Sequence, residues 1–407
     1  MAQADDPGRF AGAVRTLRRA ALIGGAAAAA GVLAEAGPQL RVARAARPLT
    51  DRWQQVPVEP RGRARLGISF RPRQAEALGL DPDATLATLL DYPFQLIRLG
   101  AYWNRIETGP ARFETSELDR QIELAEQAGK QIIVCVGPVK TFGYPEFFVP
   151  AHQLPEPLPE GVLIEPAAHP ALLAAGQAFV TRLVARYRDR QAIVAWQVEH
   201  DAVDPLGMEH SWRLSAEFVR HEVEAVRAAD PSRPVLLNGF LPTSGAVRAQ
   251  QWWRTRDQGD SLVVAQQLAD IVGVDFYPRH ALAAWAGWSV YLAGRIGALG
   301  RRRRLLRWAA ASGPRLMIVE GQAEPWEAVT TPPSPQDEAM YSCLPEHVIE
   351  NYSQCMRWRH HGGCGVDAYL FWGAEYWVLR QQQGDPRYLR AFGRVLEGAA
   401  GQRVRSR

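Results

Sequence analysis

The chain has 407 residues, of which 47% are hydrophobic and 22% charged, and its formal net charge at pH 7 is +4. This composition excludes a disordered or fibrous protein and fits a large globular domain with a sizeable core. The weak positive charge does not indicate nucleic-acid binding, because no nucleic-acid-binding motif accompanies the basic residues, and we expect no such partner.

The first 36 residues predict an export signal. Residues 1–19 are mostly polar and end in Arg18-Arg19, and an apolar run rich in alanine and glycine covers residues 20–34. This run has the length of a signal-peptide core and is too short to span a bilayer. The paired arginines resemble a twin-arginine signal, which predicts a protein secreted from a bacterial-type cytoplasm. An uncleaved membrane anchor and an ordinary alanine-rich helix are the alternatives.

Residues 37–62, rich in proline and arginine, predict a linker, and from residue 63 short apolar runs alternate with helical stretches. Helices are predicted at residues 117–128 and 170–187, among others. Strands are predicted at residues 66–70, 95–100, 131–136, 193–198, 234–238, 271–276, 316–319 and 368–371.

Eight βα units predict an α/β fold, a single-domain (β/α)8 TIM barrel over residues 63–395, followed by a basic tail at 396–407. An open doubly wound sheet is the alternative, but no glycine-rich phosphate loop follows any strand.

Acidic residues follow the fourth and seventh predicted strands. The fourth continues as Trp196-Gln197-Val198-Glu199-His200-Asp201, and the seventh leads into Glu320. Barrel active sites lie at the C-terminal ends of the strands, and strands four and seven face each other across a barrel. Retaining glycosidases need two carboxyl groups about 5–5.5 Å apart, one a nucleophile and one a general acid. We therefore expect these acids to flank one glycosidic bond.

Over roughly residues 64–390 the chain resembles the clan of (β/α)8 retaining glycoside hydrolases with cellulase-like and β-galactosidase-like branches. The resemblance implies that Glu320 is the nucleophile and Asp201 the acid/base. It also implies that Arg98 supports the nucleophile, that Tyr277 donates a hydrogen bond to it, and that Trp372 forms a sugar platform. The substrate implied is a β-linked oligo- or polysaccharide.

One motif departs from the clan, because His200-Asp201 stands where the clan has Asn-Glu. The shorter side chain withdraws the carboxyl group by about 1.5 Å, whereas proton transfer needs hydrogen-bond reach. His200 replaces the amide that holds the sugar 2-hydroxyl, although an imidazole can still donate a hydrogen bond. Three alternatives follow: Asp201 is a working acid, Glu199 takes over as acid/base, or the barrel binds sugar without cleaving it.

Other residues have weaker assignments. Trp103 follows the second strand and is a candidate sugar-binding surface, and Glu324 is a candidate ligand for sugar hydroxyls or a salt-bridge partner. Cys343, Cys355 and Cys364 lack metal-ligand spacing, and an exported protein allows one disulfide among them. We expect no metal and no organic cofactor.

The segment 283–311 combines aromatic residues with four consecutive arginines. It predicts the sixth barrel helix with a basic outer face, and a peripheral membrane contact is the alternative. The sequence thus predicts a retaining glycoside hydrolase, with a non-catalytic carbohydrate-binding barrel and a membrane-associated scaffold as alternatives. It leaves the oligomeric state open.

Overall fold

The computed structural model describes residues 37–400 except 45, 144, 205–210, 243–248, 250–259, 286–287, 294–302, 304–305, 308–314, 326–337, 341 and 361–362. The export signal predicted in residues 1–36 and the basic residues 401–407 lie outside the described residues. No helix in the described part of the chain is long and apolar enough to cross a membrane.

Eight parallel strands close into a barrel in sequence order, which confirms the predicted fold. The strands are β1 Arg65–Ser69, β2 Leu96–Gly100, β3 Gln131–Cys135, β4 Ile193–Gln197, β5 Val235–Phe240, β6 Ile271–Phe276, β7 Arg315–Gln322 and β8 Ala368–Trp372. Each predicted strand matches one of them, with ends displaced by up to three residues.

Helices cover the outside of the barrel. They are α1 Pro72–Ala77, α2 Pro82–Leu90, α3 Trp103–Ile106, α4 Ser116–Gln127, α5 Pro170–Tyr187, α6 Ala216–Ala229, α7 Ser261–Leu268, α8 Pro345–Met356, α9 Ala374–Gln382 and α10 Arg387–Ala400. Local capping sets several of their starts: the Asp81 carboxylate accepts a hydrogen bond from the Ala84 amide, and the Ser215 hydroxyl accepts one from the Phe218 amide.

Apolar side chains fill the barrel interior, so that the barrel is a packed core and not a pore. One buried cluster takes at least one residue from seven of the eight strands: Leu96, Ile133, Ala195, Leu236, Ile271, Met317, Val319, Ala368 and Leu370. A larger cluster lies between the barrel and its helices. Polar side chains at the C-terminal ends of the strands therefore stand above an apolar plug.

The helix predicted over 283–311 is wrong for its first part, residues 283–293, where the structure has strands, whereas residues 303, 306 and 307 are helical. Arg279–Trp285 and Trp288–Ala293 form an antiparallel pair, and the second strand also pairs with Leu40–Arg44. Part of the segment 37–62, expected to be a linker, is thus in a sheet. The sequence Trp-Ser-Val-Tyr-Leu-Ala favours a strand, because β-branched and aromatic residues fit a pleated surface.

Candidate active site

Glu320 lies near the end of β7, and both of its carboxylate oxygens have donors. Arg98 Nη1 on β2 donates to Oε1 at 2.9 Å, and the hydroxyl of Tyr277, just after β6, donates to Oε2 at 2.6 Å. Burial and then the charge of Glu320 raise the pKa of Tyr277 well above its ordinary value, so the hydroxyl stays protonated. The structure thus brings together three residues that the sequence predicts as a group.

A backbone irregularity in β7 supports this orientation. The pairing of β7 with β8 shifts register between Ile318 and Gly321, and its pairing with β6 shifts at Asp275. Such bulges re-aim side chains near active sites. Position 321 must be glycine, because a Cβ there would lie 2.2 Å from the Tyr369 ring.

Arg98 also starts a chain of amide hydrogen bonds across the barrel. Its Nε donates to Gln197 Oε1 at 2.7 Å, and Gln197 Nε2 donates to Asn238 Oδ1 at 2.9 Å. Asn238 Nδ2 on β5 then contacts Asp275 Oδ2 at 2.6 Å and His200 Nδ1 at 3.0 Å. The fully buried guanidinium of Arg98 therefore links the β7 carboxylate to the polar groups of β4, β5 and β6.

The loops after β3 and β4 carry three acids in strained backbone conformations. Glu146, Glu199 and Asp201 have φ of 77°, 53° and 42°, and they are the non-glycine residues with positive φ in the described ranges. Such conformations cost about 1–3 kcal/mol each and concentrate at functional sites. All three residues follow the C-terminal ends of β3 and β4, so the strained positions lie at one end of the barrel.

Glu199 is turned toward the β3 loop. Its carboxylate accepts hydrogen bonds from the amides of Val139 (3.0 Å) and Lys140 (2.5 Å). Burial and then the charge of Glu199 raise the pKa of the neighbouring Glu222 well above its ordinary value. Burial raises the pKa of Glu199 to about 7. These contacts tie the β3 loop to β4, and they occupy the carboxylate that was the alternative acid/base.

His200 is buried beside the nucleophile candidate. Its Nδ1 lies 3.4 Å from Glu320 Oε1, but burial lowers the pKa of His200 to about 3. The imidazole is therefore neutral at physiological pH, and the two groups do not form an ion pair. Because Asn238 Nδ2 donates to Nδ1, the ring proton resides on Nε2.

Asp201 follows His200 and is 8% exposed. Its Oδ1 lies 3.5 Å from Asn238 Nδ2, and one of its carboxyl oxygens lies within 4.8 Å of one of Asp275. Lys140 Nζ is not paired with this carboxylate, since it donates to the main-chain oxygens of Asp201 (2.8 Å) and Asp204 (2.9 Å).

Sequence reasoning missed Glu146, a half-buried residue on the loop after β3. Burial raises its pKa to about 8, with Lys140 opposing and the charges of Asp201 and Glu320 adding to the shift. Its Oε2 is buried and has no hydrogen-bond partner within the described part of the chain. No strand pattern marks Glu146, because it lies ten residues beyond the predicted end of β3.

Trp372 and Glu324, two of the predicted sugar-binding residues, both contact Arg71. Trp372 lies at the end of β8, 8% exposed, between the Arg71 guanidinium (4.2 Å from the ring centre) and the Phe142 ring (6.1 Å between centres). Glu324 is buried in a bidentate pair with Arg71, at 2.7 and 2.8 Å.

Trp103, also predicted to bind sugar, does not lie with Trp372 and Glu324. It is fully buried, its indole N–H donates to Glu107, and its ring packs 5.4 Å from that of Phe179.

His200, Asp201 and Asp275 present ligand-type atoms within 4.8 Å of one another. They are not arranged as metal ligands, because the Asn238 amide nitrogen lies against all three at 3.0, 3.5 and 2.6 Å. The arrangement serves an amide hydrogen-bond network. Among the cysteines, Cys343 and Cys355 are buried, and the side chain of Cys364 lies outside the described residues, so the disulfide stays a prediction.

No protein-family model and no curated protein matches the sequence. Solved structures do. A structure described as GH5_18 from Streptomyces cattleya in complex with GlcNAc has a TM-score of 0.53 and 14% sequence identity, covering 86% of this chain and 83% of that one. A variant of the same protein in complex with Manb1-4GlcNAc has a TM-score of 0.52 and 15% identity, covering 84% and 83%. The chain thus has the (β/α)8 fold of these glycoside hydrolase structures.

Proposed function

We propose that this protein is a retaining glycoside hydrolase acting on a β-linked carbohydrate, with Glu320 as the nucleophile. The observation that carries the proposal is the pair of hydrogen bonds from Arg98 and Tyr277 to the two oxygens of Glu320. A guanidinium stabilises negative charge on the carboxylate, and two directional bonds fix its orientation near the C-terminal end of a barrel strand. A buried carboxylate in that position is costly unless it has a use.

In the first step, a Glu320 oxygen forms a bond to the anomeric carbon while the bond to the departing oxygen breaks. A second carboxyl group gives that oxygen a proton. In the second step, water attacks the same carbon, the ester bond breaks, and the proton of the water returns to the second group. We assign the second group to the end of β4, at Asp201. His200 Nε2–H is available to donate to a sugar hydroxyl, and Trp372 offers the aromatic surface.

A mechanism-based label tests the nucleophile. The protein is incubated with 2-deoxy-2-fluoro β-glycosides of glucose, mannose, galactose and xylose that carry a dinitrophenolate leaving group. We expect one glycosyl unit of added mass, mapped by peptide analysis to Glu320. The variant Glu320→Gln must stay unlabelled, and the exposed-site control Glu156→Gln must label like the wild type.

A non-catalytic carbohydrate-binding barrel is the second candidate. The position of Phe142 favours a binding function without catalysis. Its ring packs 3.9 Å from the Arg98 guanidinium and against Trp372, so that it fills space beside the Glu320 carboxylate. Saturable binding of a glycan without labelling or hydrolysis establishes this function in place of the first.

Export through a twin-arginine signal also stays a proposal, and its support is the sequence of residues 1–36. Expression of the full chain in a bacterial host tests it. We expect the mature protein outside the cytoplasm with the arm removed, and replacement of Arg18-Arg19 by two lysines should retain the precursor in the cytoplasm. If the variant with two lysines is exported like the wild type, the result is evidence against the twin-arginine route.

A further inference from the structure

We propose that Asp201 and Asp275 share one proton, and that this pair, rather than Asp201 alone, supplies and recovers the proton of catalysis. The inference rests on the proposed function and deepens it. Its physical basis is the direction of the hydrogen bonds that end at the pair, which fixes where donors and acceptors must be.

Two groups that cannot change role set that direction. Arg98 Nε can only donate, so the Gln197 oxygen must face it. Gln197 Nε2 also lies 2.8 Å from the main-chain oxygen of Glu199, which can only accept. Gln197 therefore presents a donor to Asn238, whose oxygen accepts, and the amide nitrogen of Asn238 must point at His200, Asp201 and Asp275.

Asn238 cannot satisfy all three of these acceptors. Its amide has two protons, and the short contacts at 2.6 Å to Asp275 and 3.0 Å to His200 use both. Asp201 Oδ1, at 3.5 Å, is left without a close donor from this amide. One more proton is needed in the cluster.

The second oxygen of Asp275 is where that proton fits. Asp275 is 1% exposed, and its Oδ1 is buried without a hydrogen-bond donor among the described residues. The carboxyl groups of Asp275 and Asp201 nevertheless lie close together, because an oxygen of each is within 4.8 Å of the other and both groups face the Asn238 amide nitrogen. Two buried carboxylates this close repel each other, and a proton bound by one of them removes the repulsion. Asp275 as a carboxylic acid donates to Asp201 and removes the unsatisfied oxygen at the same time.

Electrostatics favours the same protonation state. Burial, followed by the charges of Glu320 and Asp201, raises the pKa of Asp275 well above its ordinary value, and Arg98 opposes the shift. The ionisable groups facing the pair or its immediate neighbours are Glu320 on β7, Arg98 on β2, His200 after β4, Tyr277 after β6, and Glu146 and Lys140 on the loop after β3.

With a shared proton, the summed charge of Glu320 and the Asp201–Asp275 pair stays constant through the reaction. When Glu320 forms its ester it loses one negative charge, and when the pair protonates the leaving oxygen it gains one. Losing the Glu320 charge removes a cause of the raised pKa, so the pair releases its proton at the moment the leaving group needs it. The second step reverses both changes, because water returns a proton to the pair as the carboxylate of Glu320 is restored.

The variant Asp275→Asn separates proton sharing from simple positioning. The amide keeps one acceptor for Asn238 and one donor for Asp201, but it cannot release a proton in this pH range. The probes are phenyl and 2,4-dinitrophenyl β-glycosides of the sugar that the wild type hydrolyses, since only the phenyl leaving group needs protonation. We expect kcat/KM to fall by about 10²- to 10⁴-fold for the phenyl glycoside and by less than tenfold for the dinitrophenyl glycoside.

The pH profile and the infrared spectrum supply further readouts. The alkaline limb of kcat/KM should move to lower pH in Asp275→Asn, because a second carboxyl group no longer helps to hold the shared proton. The carbonyl band of a protonated carboxylic acid at pH 7 should also weaken. Asp189→Asn, at an exposed position two residues beyond the C-terminal end of α5, should change none of these quantities.

Equal losses of kcat/KM with both glycosides and an unmoved pH profile would overturn the inference, as would an undiminished carboxylic acid band. A wild-type protein that hydrolyses no glycoside, yet loses the band on substitution, refutes the proposed function and supports the shared proton on its own.

Discussion

The ends of β7 and β4 carry the two halves of the site, and they are built in opposite ways. At β7 one carboxylate has a donor on each oxygen, from Arg98 and Tyr277. At β4 the acids outnumber the donors, the backbone of Glu199 and Asp201 is strained, and a carboxyl oxygen of Asp201 lies within 4.8 Å of one of Asp275. A carboxylate held by a donor on each oxygen suits a nucleophile, and a group of closely spaced acids suits proton transfer. Predictions that test this difference follow from the largest expected effect to the smallest.

The largest loss is expected for Glu320→Gln. It removes the attacking oxygen and the charge that Arg98 compensates, so kcat should fall on the order of 10⁴- to 10⁶-fold. Initial rates on a dinitrophenyl glycoside measure this, with Glu156→Gln as the control. Retention of more than a tenth of the activity would mean that the β7 end is not the nucleophilic half.

Arg98→Met should destabilise the fold as well as the site. The variant leaves Glu320 buried without its cation and Gln197 without its donor. Breaking a buried pair costs about 3–5 kcal/mol of unfolding free energy. The matched control is Arg120→Met, which breaks an exposed pair with Asp83 and should cost about 0–1 kcal/mol. Urea unfolding compares the two, and equal losses would show that the barrel does not depend on the Arg98 link.

Tyr277→Phe removes one hydrogen bond to a charged oxygen and little volume. Such a bond contributes about 1.5–3 kcal/mol, so kcat/KM should fall roughly 10- to 100-fold with the fold intact. Thermal melting checks the fold, and Tyr92→Phe, far from the barrel mouth, is the control. An unchanged rate would place the Tyr277 hydroxyl outside the reaction.

The smallest effect concerns Glu146 and the pH dependence of stability. Its pKa is about 8 in the folded protein, against an ordinary value of 4.5. Folding therefore favours the protonated form, and stability should fall as the pH rises from 4.5 through 8. Glu146→Gln cannot ionise, so its unfolding free energy at pH 8 should exceed that of the wild type by on the order of 1–2 kcal/mol, reduced by partial exposure. Urea unfolding at a series of pH values measures this. Wild type and Glu146→Gln losing unfolding free energy equally as the pH rises would contradict the prediction.

The sequence predicted the residues around Glu320 at the end of β7 better than the group of acids at the end of β4. Tyr277 and Glu320 stand just beyond the ends of predicted strands, and Arg98 lies within another, two residues before its end. Period and topology therefore suffice to bring them together. The sequence assigned no role to Asp275, which lies on β6 two residues before Tyr277. The available signal was an acidic residue inside an otherwise apolar strand. The hydrogen-bond direction that gives Asp275 its role depends on three side chains from three strands, which no local pattern contains.

Long-range pairing also explains the error in the fold. The segment 283–311 was expected to form a helix, because aromatic and basic residues recur along it. The strand Trp288–Ala293 instead pairs with Leu40–Arg44, nearly 250 residues earlier in the chain. Side-chain periodicity carries no information about such a partner.

The stereochemistry of hydrolysis tests the central claim most directly. Proton NMR records the first anomer released from a β-glycoside before mutarotation. Direct attack by Glu320 followed by water predicts the β-anomer, with retention of configuration. An α-anomer as the first product would mean that water attacks in a single step, and it would contradict a nucleophilic Glu320.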